Sequence, residues 1–300
     1  MIRVAWNEMY AHSLPEGHRF PMIKYELLPQ QLVYEGTLNW DNFFSPEEIS
    51  EEMILRVHDA TYWKRLKNLE LSRREQRVSG FPHSKELIKR ERCIAKGTID
   101  CTHHAMECGV ALNIAGGTHH AFTNRAEGFC LLNDQALASQ YLLDNKLANR
   151  ILIVDLDVHQ GNGTAEIFEN EGRVFTFSMH GEKNYPLKKM KSDRDIDLPD
   201  NTTDDNYLKL LKQNLEELVE KVNPDFVFYQ CGVDILDGDK LGRMQVSIDG
   251  CKKRDEMVLT KFRDLEIPVV CSMGGGYSKE IRVIVEAHAN TFRTARFLYD

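Results

Sequence analysis

Three polar side chains follow a run of branched apolar residues near the middle of this 300-residue chain. Residues 151–154 are typical of a strand buried on both faces of a parallel sheet. Asp155, Asp157 and His159 follow, two residues apart, so on a strand they would point the same way with a rise of roughly 6 to 7 Å per pair. Two buried carboxylates and an imidazole need a neutralising partner, and a divalent metal ion suits them. The alternative is a buried network of ion pairs.

A histidine pair and an acidic turn follow two other predicted strands. His119 and His120 come directly after two glycines, and adjacent imidazoles can move protons near neutral pH. By itself, such a pair is more often a feature of a partly exposed loop. The acidic turn after the predicted strand 225–230 ends in Asp239. Turns of this kind are usually solvated, but this one follows a buried strand and would lie within reach of the first group.

Tyr277 follows three glycines after a fourth predicted strand, where its hydroxyl either donates at a site or caps the turn. All four groups would lie at the carboxyl edge of one sheet, where α/β folds bind ligands. A metal ion held by Asp157, His159 and Asp239 would keep a position open for water and lower the pKa of that water. A histidine would pass the water's proton to a leaving amine, and Tyr277 would donate to the oxyanion. The arrangement predicts amide hydrolysis without a covalent intermediate.

The elements that must position these groups alternate between strand and helix. Strands are predicted at residues 2–6, 150–158, 174–178, 225–230 and 268–272. Helices are predicted at residues 22–35, from Pro46, at 61–71, 86–112, 133–145, 164–170, 204–222 and 247–265, and from Ser278, with loops over 72–85 and 181–203. This repetition predicts an α/β fold with a mostly parallel sheet and helices on both faces. With no linker or internal repeat, we expect a single domain over residues 1–300.

Composition excludes several classes of function. The net charge of −8 argues against direct nucleic-acid binding through a basic surface. No apolar run approaches the ~20 residues that span a bilayer, and the first residues do not resemble a signal peptide. The seven cysteines contain no CxxC pair, which indicates a reducing compartment, so we expect a cytoplasmic protein. The sequence does not indicate an oligomeric state.

The motifs resemble those of the histone deacetylase family, in the family's order and over most of the chain, from residue 58 to residue 299. The matching stretches are residues 116–121, 128–134, 155–163, 232–239 and 274–277. The resemblance implies the three-layer α/β/α fold of the arginase/deacetylase superfamily. Asn162 stands where many members have an aspartate, and Gln160 replaces a second histidine. Together with the stretch 237–242, they look most like the class IV (histone deacetylase 11-like) branch, including its bacterial relatives.

The resemblance also implies residue roles. The zinc ligands would be Asp157, His159 and Asp239, and a structural potassium ion would be held by the Asp155 side chain and by backbone near Asp157, His159 and Ser178. His120 would be the principal base and acid, oriented by Asn162. His119 would be its electrostatic neighbour, hydrogen-bonded to Asp155. Tyr277 would polarise the scissile carbonyl.

The substrate would lie in a tunnel with Phe129 and Tyr185 as aromatic walls and with Gly128 and Gly275 beside it. The loops at residues 18–21 and 75–85 would form the mouth. No loop acid that grips the substrate backbone is evident, so peptide positioning stays open. Acyl length also stays open, because members of the branch remove long fatty-acyl groups as well.

The function expected from these features is zinc-dependent hydrolysis of N-ε-acyl-lysine in a protein or peptide. A second possibility keeps the chemistry but acts on a small acylated amine such as an acetylpolyamine. A third is a non-catalytic module that binds acyl-lysine. A fourth, a two-manganese ureohydrolase, would need further bridging carboxylates. Asp/His ligand sets also accept iron, so the metal in the cell is open.

Overall fold

Eight parallel strands form one central sheet in the structure, a computed structural model that describes residues 1–300. The strands are β1 (Arg3–Ala5), β2 (Phe43–Phe44), β3 (Val110–Asn113), β4 (Ile151–Asp155), β5 (Val174–Gly181), β6 (Arg194–Leu198), β7 (Phe226–Gln230) and β8 (Val269–Ser272). Their order is β2-β1-β3-β8-β7-β4-β5-β6, and every neighbouring pair is parallel. Every residue of β3, β4, β7 and β8 is buried, as expected for strands covered on both faces.

Ten α-helices flank the sheet. They are α1 (Lys24–Tyr34), α2 (Glu51–Ile54), α3 (Ala60–Lys67), α4 (Arg73–Ser79), α5 (Lys85–Cys108), α6 (Asp134–Asp144), α7 (Asn162–Ile167), α8 (Asp204–Val222), α9 (Ile248–Asp264) and α10 (Ile281–Tyr299), with short 3₁₀ turns at Glu8–Tyr10 and Trp40–Asn42. Helices α1, α10, α9 and α8 pack as consecutive neighbours, and α5 packs on α6. The predicted α/β/α architecture is confirmed. No helix combines the length and apolar character needed to cross a lipid bilayer.

Two helix predictions in the first third are wrong. The segment 72–85 is not all loop, because Ser72 and Glu75 form a reciprocal capping box that starts α4. Gly80 ends α4 in the left-handed region at φ 83°. No helix begins at Pro46, since α2 starts at Glu51 with the Ser50 hydroxyl as its cap.

Two strands were not predicted, and the end of a third differs from the prediction. β3 begins within the segment predicted as helix 86–112. The charged edge strand β6 lies within the segment predicted as loop 181–203. β4 ends at Asp155, so Asp157 and His159 do not lie on one face of a continuing strand. The chain turns there because Asp155 Oδ1 accepts the Asp157 N–H at 3.1 Å and Asp157 Oδ1 accepts the His159 N–H at 3.0 Å.

Candidate active site

Four loops that carry the chemically capable residues meet at the carboxyl edge of the sheet. The loops follow β3, β8, β7 and β4, which are consecutive neighbours in the sheet. They contribute, in chain order, His119 with His120, Asp157 with His159, Asp234, and Tyr277. The predicted groups therefore come together from parts of the chain that are far apart in sequence.

A cluster of three metal-donor side chains lies at the bottom of this edge. One donor atom each from Asp157, His159 and Asp234 lies within 4.8 Å of the others, and all three side chains are buried. His159 Nδ1 lies 3.0 Å from Asp157 Oδ1 and 3.1 Å from Asp234 Oδ2. Donor atoms around a tetrahedral zinc ion with bonds of about 2.0 to 2.1 Å lie roughly 3.3 Å apart. Asp234 Oδ2 is buried without a well-directed hydrogen-bond donor, so the cluster fits a zinc ion.

The electrostatics of the donor cluster favour a cation. Burial opposes protonation of His159, yet the Asp157 and Asp234 carboxylates beside its ring raise its pKa to about 10. Burial and the neighbouring Asp157 charge raise the pKa of the Asp234 carboxyl to about 7. Two acids therefore share one buried space, and a positive charge between them relieves their repulsion.

The prediction of Asp239 as the third donor is wrong, because Asp234 takes that place in the cluster with Asp157 and His159. The Asp239 carboxylate accepts backbone N–H groups of Tyr277 at 2.6 Å, Leu241 at 2.8 Å and Gly242 at 3.0 Å. It therefore braces the loop that carries Tyr277. Asp234 comes sooner after β7 and is fully buried. Its position, closer to the end of the buried strand, is the signal in the sequence that could have identified it.

Two glycines allow the loops to close around the donor cluster. A Cβ atom on Gly232 would lie 2.1 Å from Asp157 Oδ2, and one on Gly275 would lie 1.9 Å from Asp234 Oδ2. The Gly275 N–H donates to Asp157 Oδ2 at 2.8 Å. Gly275, expected beside the substrate, thus holds a metal donor and also lines the cavity next to it.

The two adjacent histidines have different partners. His119 Nδ1 lies 2.7 Å from Asp155 Oδ2, and His120 Nδ1 lies 2.7 Å from Asn162 Oδ1. Burial works against a charge on His119, but the Asp155 carboxylate outweighs it and raises the His119 pKa. Burial, together with the neighbouring imidazoles of His119 and His159, lowers the His120 pKa well below its usual value. His120 is therefore suited to be the neutral base and His119 the charged neighbour.

A buried carboxylate that the sequence interpretation left without a role holds the histidine loop. Asp134 accepts the N–H groups of Gly117 at 3.1 Å and Thr118 at 2.8 Å, and the Thr98 hydroxyl at 2.7 Å. Gly117 has φ 73° and lies so close to Gln230 that a Cβ atom would come within 2.1 Å of its Oε1. Asp134 thus fixes the loop that presents His119 and His120.

A tunnel of about 310 Å³ leads from the surface to the histidines and the donor cluster. Its walls are Arg19, Val78, His120, Gly128, Phe129, His159, Tyr185, Leu241 and Tyr277. The Tyr185 ring stands perpendicular to the His120 ring, 5.0 Å between centroids, and the Phe129 ring lies 5.9 Å from that of Tyr277. Phe129 and Tyr185, expected as aromatic walls, line this tunnel, as do Arg19 and Val78 from the two expected mouth loops. Their contact with a substrate stays a prediction, and Leu241 was not predicted.

The Phe129 loop is tethered to the end of α4. Phe129 has φ 67°, an uncommon conformation for a residue with a side chain. Its N–H donates to Ser79 O at 2.7 Å, and the Gly128 N–H donates to Val78 O at 3.1 Å. A Cβ atom on Gly128 would lie 2.6 Å from His120 Cδ2, so this loop passes directly over the His120 ring.

Tyr277 lies at the inner end of the tunnel, 6.4 Å from His159 between ring centroids. Burial, together with the carboxylates of Asp234 and Asp157, raises the Tyr277 pKa well above its usual value. Its hydroxyl therefore stays protonated and can donate a hydrogen bond.

A second, inner cavity continues past the histidines. The volume that the centres of water-sized molecules can occupy in it is about 40 Å³. Its lining includes Tyr25, Arg90 and Ile94. Because one water needs roughly 10 to 15 Å³ by this measure, the cavity has room for only a few heavy atoms.

The predicted potassium site stays a prediction. Asp155 and Ser178 are register partners on β4 and β5. The Asp155 carboxylate accepts from His119 and from the Asp157 N–H, and the Ser178 hydroxyl lies 2.8 Å from His180 Nδ1.

Comparison with known proteins gives a consistent result. The chain matches the histone deacetylase domain family over residues 18–292. It is 42% identical over 296 residues to an uncharacterised protein of Picosynechococcus sp., covering 99% of both chains. It is 32% identical over 286 residues to histone deacetylase 2 of Arabidopsis thaliana, covering 92% of this chain and 74% of that one. The crystal structure of a histone deacetylase homologue from Aquifex aeolicus superposes with a TM-score of 0.82 at 24% identity, covering 98% of this chain and 84% of that one.

Proposed function

We infer the function from one premise: this chain belongs to the histone deacetylase family. Family membership supports a hydrolase of the deacetylase type. We propose that the substrate is N-ε-acyl-lysine in a protein or peptide and that hydrolysis depends on one zinc ion. The observation that carries this proposal is the convergence of Asp157, His159 and Asp234 with His120 and Tyr277 at the inner end of one tunnel.

Each residue at the end of the tunnel has a task in amide hydrolysis. Zinc held by Asp157, His159 and Asp234 would supply a water of lowered pKa and polarise the acyl carbonyl. His120 takes the proton of the attacking water and later gives it to the lysine amine. Tyr277 donates its O–H to the oxyanion that develops on the carbonyl.

The charge of His119 supports the same steps. Its pairing with Asp155 at 2.7 Å favours the protonated form of His119, next to His120 at 4.1 Å between ring centroids. That charge keeps the resting His120 neutral and able to accept a proton.

The inner cavity favours a short acyl group. The tunnel would surround the lysine stem between Phe129 and Tyr185, which leaves the acyl group to occupy the space beyond the carbonyl. About 40 Å³ for atom centres suits an acetyl group and is too small for a fatty-acyl chain. We therefore expect deacetylation to exceed the removal of long chains.

Several finer assignments belong to the same proposal. Asn162 beside His120, and Gln160, support placement in the class IV branch, and the 42% identical relative is consistent with a bacterial source. Seven free cysteines support a cytoplasmic location. We further propose one catalytic domain over residues 1–300 and a structural potassium ion near Asp155 and Ser178.

The test is a deacylation screen on one peptide, from acetyl-lysine to myristoyl-lysine, with metal analysis of the same sample. We expect one zinc ion per chain, loss of activity on chelation, and the highest kcat/KM for acetyl. Acetylspermidine in the same assay tests the small-amine alternative, and two metal ions per chain would favour a ureohydrolase. An inert zinc-loaded protein would favour a binding module.

Variants of the two proton-handling residues test the mechanism directly. Tyr277→Phe removes only the donor to the oxyanion, so kcat is expected to fall by about 10² to 10³-fold with zinc retained. His120→Ala should lower kcat at least as much, because it removes the imidazole to which the mechanism assigns both proton transfers. Full activity in both variants contradicts the mechanism.

A further inference from the structure

The partner of His120 is a neutral amide with a fixed orientation. Asn162 Oδ1 accepts the Gly163 N–H at 3.1 Å and lies 2.7 Å from His120 Nδ1. A backbone N–H can only donate, so the atom between these two groups is the amide oxygen. His120 must therefore carry its proton on Nδ1, and its Nε2 lone pair is free to act as the base.

A carboxylate stands directly behind this amide. Glu127 Oε2 accepts from Asn162 Nδ2 at 3.4 Å and from the Tyr185 hydroxyl at 2.6 Å. Its other oxygen, Oε1, accepts from Arg125 Nε at 2.8 Å. The Glu127 side chain is only 16% exposed, although it lies next to the tunnel. The row His120–Asn162–Glu127 thus connects the proposed base to a negative charge through one amide.

We propose that Glu127 is a positioning residue for the hydrolysis: it holds the Asn162 amide toward His120 and supplies the negative charge that Asn162 lacks. The inference rests on the proposed function, because it takes His120 as the base. The Asn162 amide bonded between a carboxylate and an imidazole is polarised by the charge, which strengthens its bond to a protonated His120. His119 has its carboxylate in direct contact, whereas His120 receives one through an intermediate side chain.

The first variant removes the charge and also the bond from Arg125, because the new NH₂ group cannot accept from a guanidinium. Glu127→Gln keeps the size of the side chain and an oxygen that can accept from Asn162 and Tyr185. We expect kcat on the acetyl-lysine peptide to fall about tenfold, since a unit charge several ångströms away in a partly solvated setting has that effect on a barrier. KM should change less than about twofold, because the tunnel wall is preserved.

A matched control and a rescue separate charge from structure. Arg125→Gln removes the positive charge that is bonded to Glu127 but leaves the Glu127–Asn162 contact intact. The kcat value should therefore stay within about twofold of the parent. In Glu127→Gln/Asn162→Asp the carboxylate moves next to His120, and kcat should recover to within about threefold of the parent. The inference is overturned if Glu127→Gln alone leaves kcat unchanged, or if the double variant is no more active than Glu127→Gln.

An NMR measurement that does not depend on substrate turnover tests this inference separately from the proposed function. In protein labelled with ¹⁵N at histidine, the His120 Nδ1–H resonance should move upfield and exchange faster with water in Glu127→Gln. An unchanged resonance overturns the role of Glu127, whatever the activity. A zinc-loaded parent that shows the expected resonance but hydrolyses no acyl-lysine contradicts the proposed function alone.

Discussion

The inner end of the tunnel and its rim are held in place by different interactions. At the inner end, Asp157 and Asp234 are 1% and 0% exposed, and backbone N–H groups bond to both carboxylates. At the rim, Tyr185 and Val78 are 38% and 47% exposed. Tyr185 is held there by a single side-chain hydrogen bond, to Glu127.

This difference indicates where the molecule can tolerate change. Around the donor cluster, even one added carbon on Gly232 or Gly275 would overlap a carboxylate oxygen. Buried groups so closely packed keep the donors within the few tenths of an ångström that metal binding requires. The rim has free space and exposed side chains. Substitutions there can therefore change which substrates fit without disturbing the residues at the inner end.

The strongest test of the inner end compares two aspartates of one loop. Asp234→Asn removes a charged donor, so we expect loss of bound zinc and a fall in kcat/KM of about 10³-fold or more. Asp239→Asn disturbs the bonds to Tyr277, Leu241 and Gly242 but removes no member of the donor cluster, so zinc should remain and kcat/KM should fall by about 10 to 100-fold. Metal analysis and Michaelis kinetics measure both. Zinc retained in Asp234→Asn but lost in Asp239→Asn would reverse the assignment.

The second test concerns the stability of the inner end. Asp134→Asn turns an amide NH₂ toward buried N–H and hydroxyl donors, which should lower the free energy of unfolding by about 3 to 5 kcal/mol. Asp144→Asn, at the other end of α6, affects an ion pair with Arg56 and a hydrogen bond from Gln140 near the surface, and should cost less than about 1 kcal/mol. Urea denaturation of both variants gives the values. Equal losses would show that the Asp134 bonds do not stabilise the histidine loop.

The smallest effect is expected at the rim. Leu241→Ala removes apolar surface from the tunnel wall, which should raise KM about threefold to fivefold, equivalent to about 1 kcal/mol of lost contact. Because the Leu241 side chain has no group that can transfer a proton, kcat should stay within about twofold. Initial rates over a range of peptide concentrations separate the two constants. A tenfold loss of kcat would mean that the rim takes part in the chemistry.

Much of the fold was predictable because its signals are local. The β–α alternation after residue 150 and the apolar strands were enough to predict the parallel sheet. The elements that were missed carry weak or misleading local patterns. β3 has four residues directly after a long helix, and β6 is a charged strand at the sheet edge. The capping box that begins α4 was present in the sequence but was not recognised.

The site was predictable where residues are adjacent in the chain and less so where contacts are distant. Asp157, His159 and the histidine pair stand out by type and spacing. The choice between Asp234 and Asp239 depended on where the loop turns, which three backbone N–H bonds to Asp239 decide. The tasks of Asp134 and Glu127 arise from contacts with other loops and have no local signal.

The strand order β3-β8-β7-β4 has a consequence for biosynthesis. The two strands made last, β7 and β8, are inserted between β3 and β4, which are made much earlier. β3 can pair with β1 and β4 with β5, but each lacks its second neighbour until most of the chain has left the ribosome. Long-range pairing of this kind slows folding and leaves apolar edges exposed for a time. The proposed zinc site is therefore completed late, since the loop after β7, which carries Asp234, must be made before all three donors are present.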